Sequence, residues 1–200
     1  VPTTLTGLVP LAVSLLRKRH AELHVVIDPG MSHQLMQQLD RGAIDAAIIS
    51  RPNLLPQGLA CLDIAAEPMQ LLAPPQTKSD RPFDLLRTHP FIRFDRNAIF
   101  GQMVESWLQQ HNINVKESME LEGLEAISSM VMANLGVSIV PKSCVRNMNP
   151  LPLKRLALGL NTPARQLSLA YRDDNPKLAV IKAGEKALLD AVRIGEFSHK

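Results

Sequence analysis

Cysteine is nearly missing from this chain: Cys61 and Cys144 are the only two in 200 residues. They fit no metal-ligand spacing and no redox motif, so both read as free buried thiols, and the lack of disulfides favours the cytoplasm. Long apolar runs are missing as well. No stretch approaches the roughly 20 residues of a membrane span, and the opening Val1-Pro2-Thr3-Thr4 has no charged segment followed by an apolar core of the kind that directs export. A soluble, cytoplasmic chain is expected. No sign of charge dominates: the net charge is +3 and the excess is spread along the chain, which excludes the concentrated basic stripe of a nucleic-acid surface. The six histidines, His20, His24, His33, His89, His111 and His199, are scattered without the helical spacing of a metal site. They read as solvated or capping residues, and neither a metal nor a cofactor is expected. Catalytic motifs are absent too. There is no Gly-x-Ser-x-Gly elbow, no phosphate-binding glycine loop, no His-Glu-x-x-His and no convincing carboxylate pair. An enzyme is not expected.

With 46% hydrophobic and 20% charged residues, the chain has what an ordinary globular core requires. Its most telling pattern occurs twice: an amphipathic helix, a glycine stop and a short apolar strand. The first copy runs over residues 35–49 with Gly42 as the stop, and the second over residues 127–141 with Gly136. Two such units far apart suggest two α/β lobes with a small-molecule cleft between them.

Leu5, Leu8, Val9, Ala12 and Leu16 recur at helical spacing and predict a first helix over residues 4–19, with Arg17, Lys18, Arg19 and His20 at its negative end. Pro10 is tolerable only in the first turns, so the helix starts either at Thr4 or nearer Thr6 and Gly7. The β-branched residues 23–28 read as a strand. Ser32 stands where an N-cap belongs, ahead of a helix ending at Gly42. Residues 43–49 form an apolar strand, in which Asp45 needs a hydrogen-bonded partner such as a backbone donor. Two further strands, residues 59–64 and 69–73, flank a loop at Glu67-Pro68. Residues 74–82, rich in proline and polar residues, are the sharpest break. Beyond it come a helical turn at 83–86, a strand at 91–94, a helix at 100–111, a strand at 118–121, the second helix and strand at 124–140, and strands at 153–158 and 166–172. Asp174 or Asn175 caps a last helix carrying Leu178, Ile181, Leu188, Leu189 and Val192. Alternating strands and helices favour parallel sheets covered by helices. Lobe I takes residues 1–73 and the closing helix at 177–200, lobe II takes 74–176, and two crossing strands join them.

The ordered segments Gly7-Leu8-Val9-Pro10, Gly30-Met31-Ser32, Leu39-x-Arg41-Gly42-x-Ile44-Asp45-x-Ala47-Ile48, Glu67-Pro68-Met69-x-Leu71-Leu72 and Leu135-Gly136-Val137-x-Ile139-Val140-Pro141 resemble the effector-binding domain of LysR-type transcriptional regulators over nearly the whole chain. The resemblance implies a two-lobed type 2 periplasmic-binding-protein-like fold. It also implies a homodimer, a tetramer in the full-length protein, and DNA binding only through an N-terminal winged helix-turn-helix that this chain does not contain. The family's domain opens with a strand just before the residues matching Val1, and that strand is largely absent here. Because the fold also serves secreted receptors, the alternative is a solute-binding receptor of a membrane transporter.

In such a cleft, helix N-termini are natural anion receptors. The candidate ligand residues are Thr3 and Thr4 before the first helix, Gly30, Met31 and Ser32 before the second, and Arg96 and Asn97 before the helix at 100–111. Arg96 would approach a carboxylate as a bidentate partner. Ser50, Glu122 and Val137 complete the set. Thr3, Thr4 and Ser32 are equally suited to ordinary capping, and Arg96 to pairing with Asp95; Arg93 points either into the cleft or to solvent. The expected function is sensing of a small anionic metabolite, a carboxylate above all, that changes the oligomer geometry controlling transcription. Residues 23–27 and the first helix are the candidate dimer surface.

Overall fold

A computed structural model of the protein describes residues 1–146, 149–159 and 161–195; His199 lies outside the described residues. The chain divides into two compact units. The first takes in Val1–Ala66, a short stretch from Ser143 and the chain from Gln166 onward; the second takes in Glu67–Lys142 and Asn149–Arg165. The divisions at 66/67 and 165/166 fall inside strands.

The first unit opens with a 3-10 turn, Pro2–Thr4, followed by α1 (Leu8–Arg19). Pro10 falls in the first turn of α1, where a missing N–H leaves no intrahelical bond unmade. Residues 23–28 are not a strand: no described strand pairs with them, the Leu23 amide turns back to the His20 carbonyl, and Val25, Val26 and Ile27 are exposed. β-propensity without a neighbouring strand does not make a strand. α2 (Ser32–Asp40) has Met31, not Ser32, at the N-cap, and the Gln34 side chain accepts the Met31 amide at 2.9 Å. β1 (Ala46–Ser50) pairs antiparallel with β7 (Ala164–Arg172), which lies beside β2 (Leu59–Ala73). Alternate residues fill two layers. Leu167 and Leu169 of β7 pack with Leu8, Leu11 and Ala12 of α1 and with Ile181, Leu188 and Ala191 of α6 (Leu178–Ile194). On the other side Ala47, Ile49 and Ala170 pack with Leu35 and Leu39 of α2. The closing helix thus returns to the first unit. Asp45 lies before β1, outside the strand expected to contain it, and its hydrogen-bonded partner is the Lys177 ammonium at 2.9 Å.

β2 is one strand of 15 residues where two were expected, and its part from Glu67 onward belongs to the second unit. Pro68 does not interrupt it, and its carbonyl accepts the Lys142 amide at 2.8 Å. β5 (Ser138–Pro141) and β6 (Lys154–Ala157) flank the end of β2, both antiparallel. β3 (Pro90–Phe94) pairs parallel with β4 (Lys116–Leu121) and reaches β5 through a bridge between Phe91 and Val137. Where parallel sheets were expected, only β3 with β4 is a parallel pair; β1 with β7 and β2 with β5 and β6 are antiparallel. α3 (Pro82–Thr88), α4 (Ile99–Gln110) and α5 (Leu124–Met132) contribute Leu85, Leu86, Phe100, Val104, Trp107, Ile127 and Val131 to a core that includes Phe91, Ile92 and Ile139.

The doubled unit closes by the same hydrogen bonds in both copies, but at shifted positions. After α2, Gly42 takes the left-handed conformation (φ 67°), its amide donates to Leu39 and that of Ala43 to Gln38. After α5 the equivalent residue is Asn134 (φ 61°), with the amides of Asn134 and Leu135 donating to Val131 and Met130. Asparagine is the usual substitute for glycine at such a stop. Gly136 serves a different need: a Cβ there would stand 2.4 Å from the Pro90 carbonyl oxygen.

Candidate functional site

The C-terminal end of β1 gathers several of the candidate residues. The Val1 nitrogen donates to the Ile48 carbonyl at 2.6 Å, and the Thr4 hydroxyl donates to the Val1 carbonyl at 2.8 Å. The turn bearing Thr3 and Thr4 is thereby fixed beside β1. Two residues further along, the Ser50 amide donates to Ser32 Oγ at 3.0 Å, which ties the first residue of α2 to the same strand end. All four hydroxyl residues are largely buried: Thr3 is 7% exposed, Thr4 3%, Ser32 7% and Ser50 4%. Ser32 thus does not cap α2; its oxygen accepts from a neighbouring strand. A hydroxyl that accepts one bond still has its own proton to give. Gly30 packs tightly over Leu35, where a Cβ would approach Leu35 Cδ2 to 3.1 Å, and Met31 enters α2 from an extended conformation.

A second polar group adjoins this strand end. Asp63 on β2 accepts from the Arg51 guanidinium and, at 2.8 Å, from Ser168 Oγ. These two donors hold the Asp63 carboxyl below the usual range. Nearby burial pushes the half-buried Cys61 thiol up, which leaves it a poor nucleophile. Arg51 follows Ser50 directly in sequence, but its tie to Asp63 joins residues 12 apart. No local spacing signals it.

The candidates of the second unit behave differently. Arg96 is engaged by two carboxylates: its guanidinium pairs with Glu117 and, at 3.0 Å, with Glu120, while its amide donates to Glu120 at 2.8 Å. Among the described residues Arg96 is therefore neither a free bidentate fork nor a partner of Asp95. Asp95 instead accepts from the Asn97 amide at 2.9 Å and its side-chain nitrogen at 3.1 Å, a local turn before α4. Arg93 is buried and pairs with Glu105 at 2.6 Å and with Glu117. Hydrogen bonds from Arg93 and Arg96 hold the Glu117 and Glu120 carboxyls below the usual range. Glu122 is exposed just before α5, whose N-cap Gly123 has φ 92°. Val137 is 0% exposed, and its side chain belongs to the unit's core.

Among the described residues no helix is long and apolar enough to cross a membrane. The family model for the LysR substrate binding domain matches residues 1–193. The HTH-type transcriptional regulator CzcR of Bacillus subtilis (strain 168) is 24% identical over 74% of this chain and 52% of its own length. The hydrogen peroxide-inducible genes activator of Haemophilus influenzae is 24% identical over 88% of this chain and 60% of its own. The chain therefore spans between about half and three-fifths of these relatives. Among solved structures, the effector-binding domain of QuiR in complex with shikimate superposes with a TM-score of 0.80 at 18% identity, covering 98% of this chain and 95% of that one. At that identity the likeness speaks for the fold, which is the expected two-lobed, periplasmic-binding-protein-like one. The match over residues 1–193 decides the family: this chain belongs to the LysR substrate binding domains.

Proposed function

We propose that this chain is the ligand-sensing part of a transcriptional regulator and that it binds a small anionic metabolite through the hydroxyl cluster at the end of β1. The observation that carries this reading is the bond from the Ser50 amide to Ser32 Oγ. It holds the Ser32 oxygen in place and leaves the hydroxyl proton to donate, beside the buried Thr3 and Thr4. A preorganised neutral donor such as the Ser32 hydroxyl is suited to a carboxylate, since hydrogen bonds to an ionised acceptor are about twice as strong as neutral ones. The ligand would lie in the cleft expected of this fold, and its extra contacts in one arrangement would shift the population toward that arrangement.

The reading includes a homodimer, a tetramer in the whole protein, DNA contact through an upstream winged helix-turn-helix, and no catalytic step. The exposed Val25, Val26 and Ile27 support a protein contact. The transporter-receptor alternative is disfavoured, because the relatives named above are transcriptional regulators. Titration calorimetry of the chain against a panel of small mono- and dicarboxylates, shikimate among them, is the test. Saturable binding of one of them, weakened at least about tenfold by Thr4→Ala or Ser32→Ala in a folded domain, is the expected result; a tenfold loss corresponds to about 1.4 kcal/mol. No binding across the panel, or unchanged affinity in both variants, overturns the assignment.

A further inference from the structure

α6 buries Ile181, Ala187, Leu188 and Ala191 in the core of the first unit. Its opposite side is exposed at Ala179, Lys182, Lys186, Leu189 and Arg193, which follow one another at steps of three and four residues and so form a single stripe. At 1.5 Å per residue the stripe is about 20 Å long. Positive charge covers it. Glu185, one of the helix's two acids, stands outside this spacing and is half-buried. The other, Asp190, borders the stripe with its side chain only 14% exposed, and it is already engaged. The Arg19 guanidinium of α1 reaches it at 2.8 Å and that of Arg193 at 3.4 Å. The hydrogen bond from Arg19, with the charges of Arg193 and Lys186, holds the Asp190 carboxyl below the usual range. Arg19, Lys182, Lys186 and Arg193 thus share this face with one carboxylate, an excess equal to the whole chain's net charge of +3. Cations spread through the sequence are gathered by the packing of α1 on α6.

This arrangement does not serve the helix itself. Lys182 and Lys186 are like charges four residues apart, a spacing that weakens a helix. Leu189 lies between Lys186 and Arg193 on the stripe and is 36% exposed. An apolar residue among charged ones is the anatomy of a protein contact, with an apolar centre and a polar rim. A nucleic-acid backbone would satisfy the cations and leave Leu189 without a partner.

We propose that the outward face of α6, with Arg19 at its edge, docks an acidic amphipathic helix of another protein. The partner's carboxylates pair with Lys182, Lys186 and Arg193, while one of its apolar side chains covers Leu189. The stripe is carried on a helix of 17 residues, so a partner helix laid along it meets these side chains at matching intervals. Attraction between the opposite charges steers the encounter and is screened by salt. The proposal goes beyond the ligand assignment and does not depend on it.

The test is fluorescence anisotropy of the 200-residue chain with a labelled helical peptide that carries glutamates and one central leucine along a single face. Saturable binding that weakens as salt is raised is expected. Lys182→Glu, Lys186→Glu and Arg193→Glu together should weaken it at least about tenfold, and this triple variant should instead bind the counterpart peptide with lysines in place of the glutamates. If the reversal unfolds the chain by circular dichroism, the neutral variant Lys182→Gln, Lys186→Gln and Arg193→Gln takes its place, with an expected loss of at least about fivefold. Leu189→Ser should weaken binding at least about threefold with the charge unchanged. Lys78→Glu, Lys116→Glu and Lys142→Glu, all at exposed positions of the second unit, make the same change of charge elsewhere and should leave the affinity unchanged. Absence of saturable binding, equal loss in the second-unit variant, or an unchanged affinity in Leu189→Ser overturns the docking surface. So does tighter binding of a short DNA duplex through the same three cations, which would assign the face to nucleic acid. A lower mass by light scattering in the triple variant overturns it as well, because the face is then a contact between copies of this chain.

Discussion

Replacing Ser32 by alanine removes the acceptor of a buried amide. Ser32 and Ser50 are both buried, and the 3.0 Å bond between them joins α2 to the end of β1. An ordinary hydrogen bond contributes only about 0.5–1.5 kcal/mol net, because the unfolded chain recovers it with water; a buried donor left without an acceptor costs about 1–3 kcal/mol. The second figure applies here, since the alanine methyl cannot accept from the Ser50 N–H. A loss of about 2 kcal/mol lowers the melting temperature of a domain this size by about 4–8 °C. Urea unfolding followed by far-ultraviolet circular dichroism measures it, with the slope of the transition unchanged. Ser32→Thr keeps the acceptor and is expected to recover most of the loss. Amide exchange at Ser50 should quicken in Ser32→Ala and not in Ser32→Thr. If Ser32→Ala lies within about 0.5 kcal/mol of the parent, the range of an unremarkable surface change, the amide does not depend on Ser32 and the reasoning fails.

Other consequences are open to measurement. Thr3→Val and Thr4→Val keep the shape of the turn and remove its hydroxyls; both are expected to weaken carboxylate binding by calorimetry more than they lower the urea midpoint. Gly136→Ala forces a Cβ to within 2.4 Å of the Pro90 oxygen at φ 154° and should cost about 2–4 kcal/mol of unfolding free energy. Glu117 and Glu120 titrate below their ordinary range in the folded chain, so their contribution is full above the unfolded value of about 4.3 and fades as pH falls through the depressed folded values. The fall in urea midpoint on acidification should accordingly be smaller in Glu117→Gln. Val26, 72% exposed in the unpaired segment, tests the proposed dimer surface: Val26→Asp should lower the mass seen by light scattering, and an unchanged dimer mass would remove that segment from the interface.

Helices were the readable part of this chain, because an apolar stripe is a local signal. α1, α4 and α6 appear close to where the spacing of Leu8, Val9 and Ala12, of Val104, Trp107 and Leu108, and of Ile181 and Leu188 places them. Strands were less readable, since their existence depends on partners remote in sequence. Residues 23–28 have the composition of a strand without a described neighbour, while Glu67-Pro68 looks like a loop and lies inside β2. The partner that lets Glu67 enter a buried strand is Arg165, 98 residues away, and nothing adjacent to either residue signals the match. The same reason divides the candidate site. Thr3, Thr4, Ser32 and Ser50 were found through helix starts and strand ends, which are local. The engagement of Arg96 by Glu117 and Glu120 depends on the pairing of β3 with β4 and reverses the reading of that arginine.

The division of β2 and β7 between the units also bears on how the chain can be made. The apolar face of α1 packs against α6, the last element, and the sheet of the first unit is incomplete until β7 follows. During synthesis residues 1–66 must therefore wait, with Leu8 and Leu11 uncovered, until the second unit has been translated. The second unit has most of its core within residues 67–142 and can collapse first. The order of folding should thus run against the order of synthesis, and residues 1–66 are the part of this domain left uncovered longest on the ribosome.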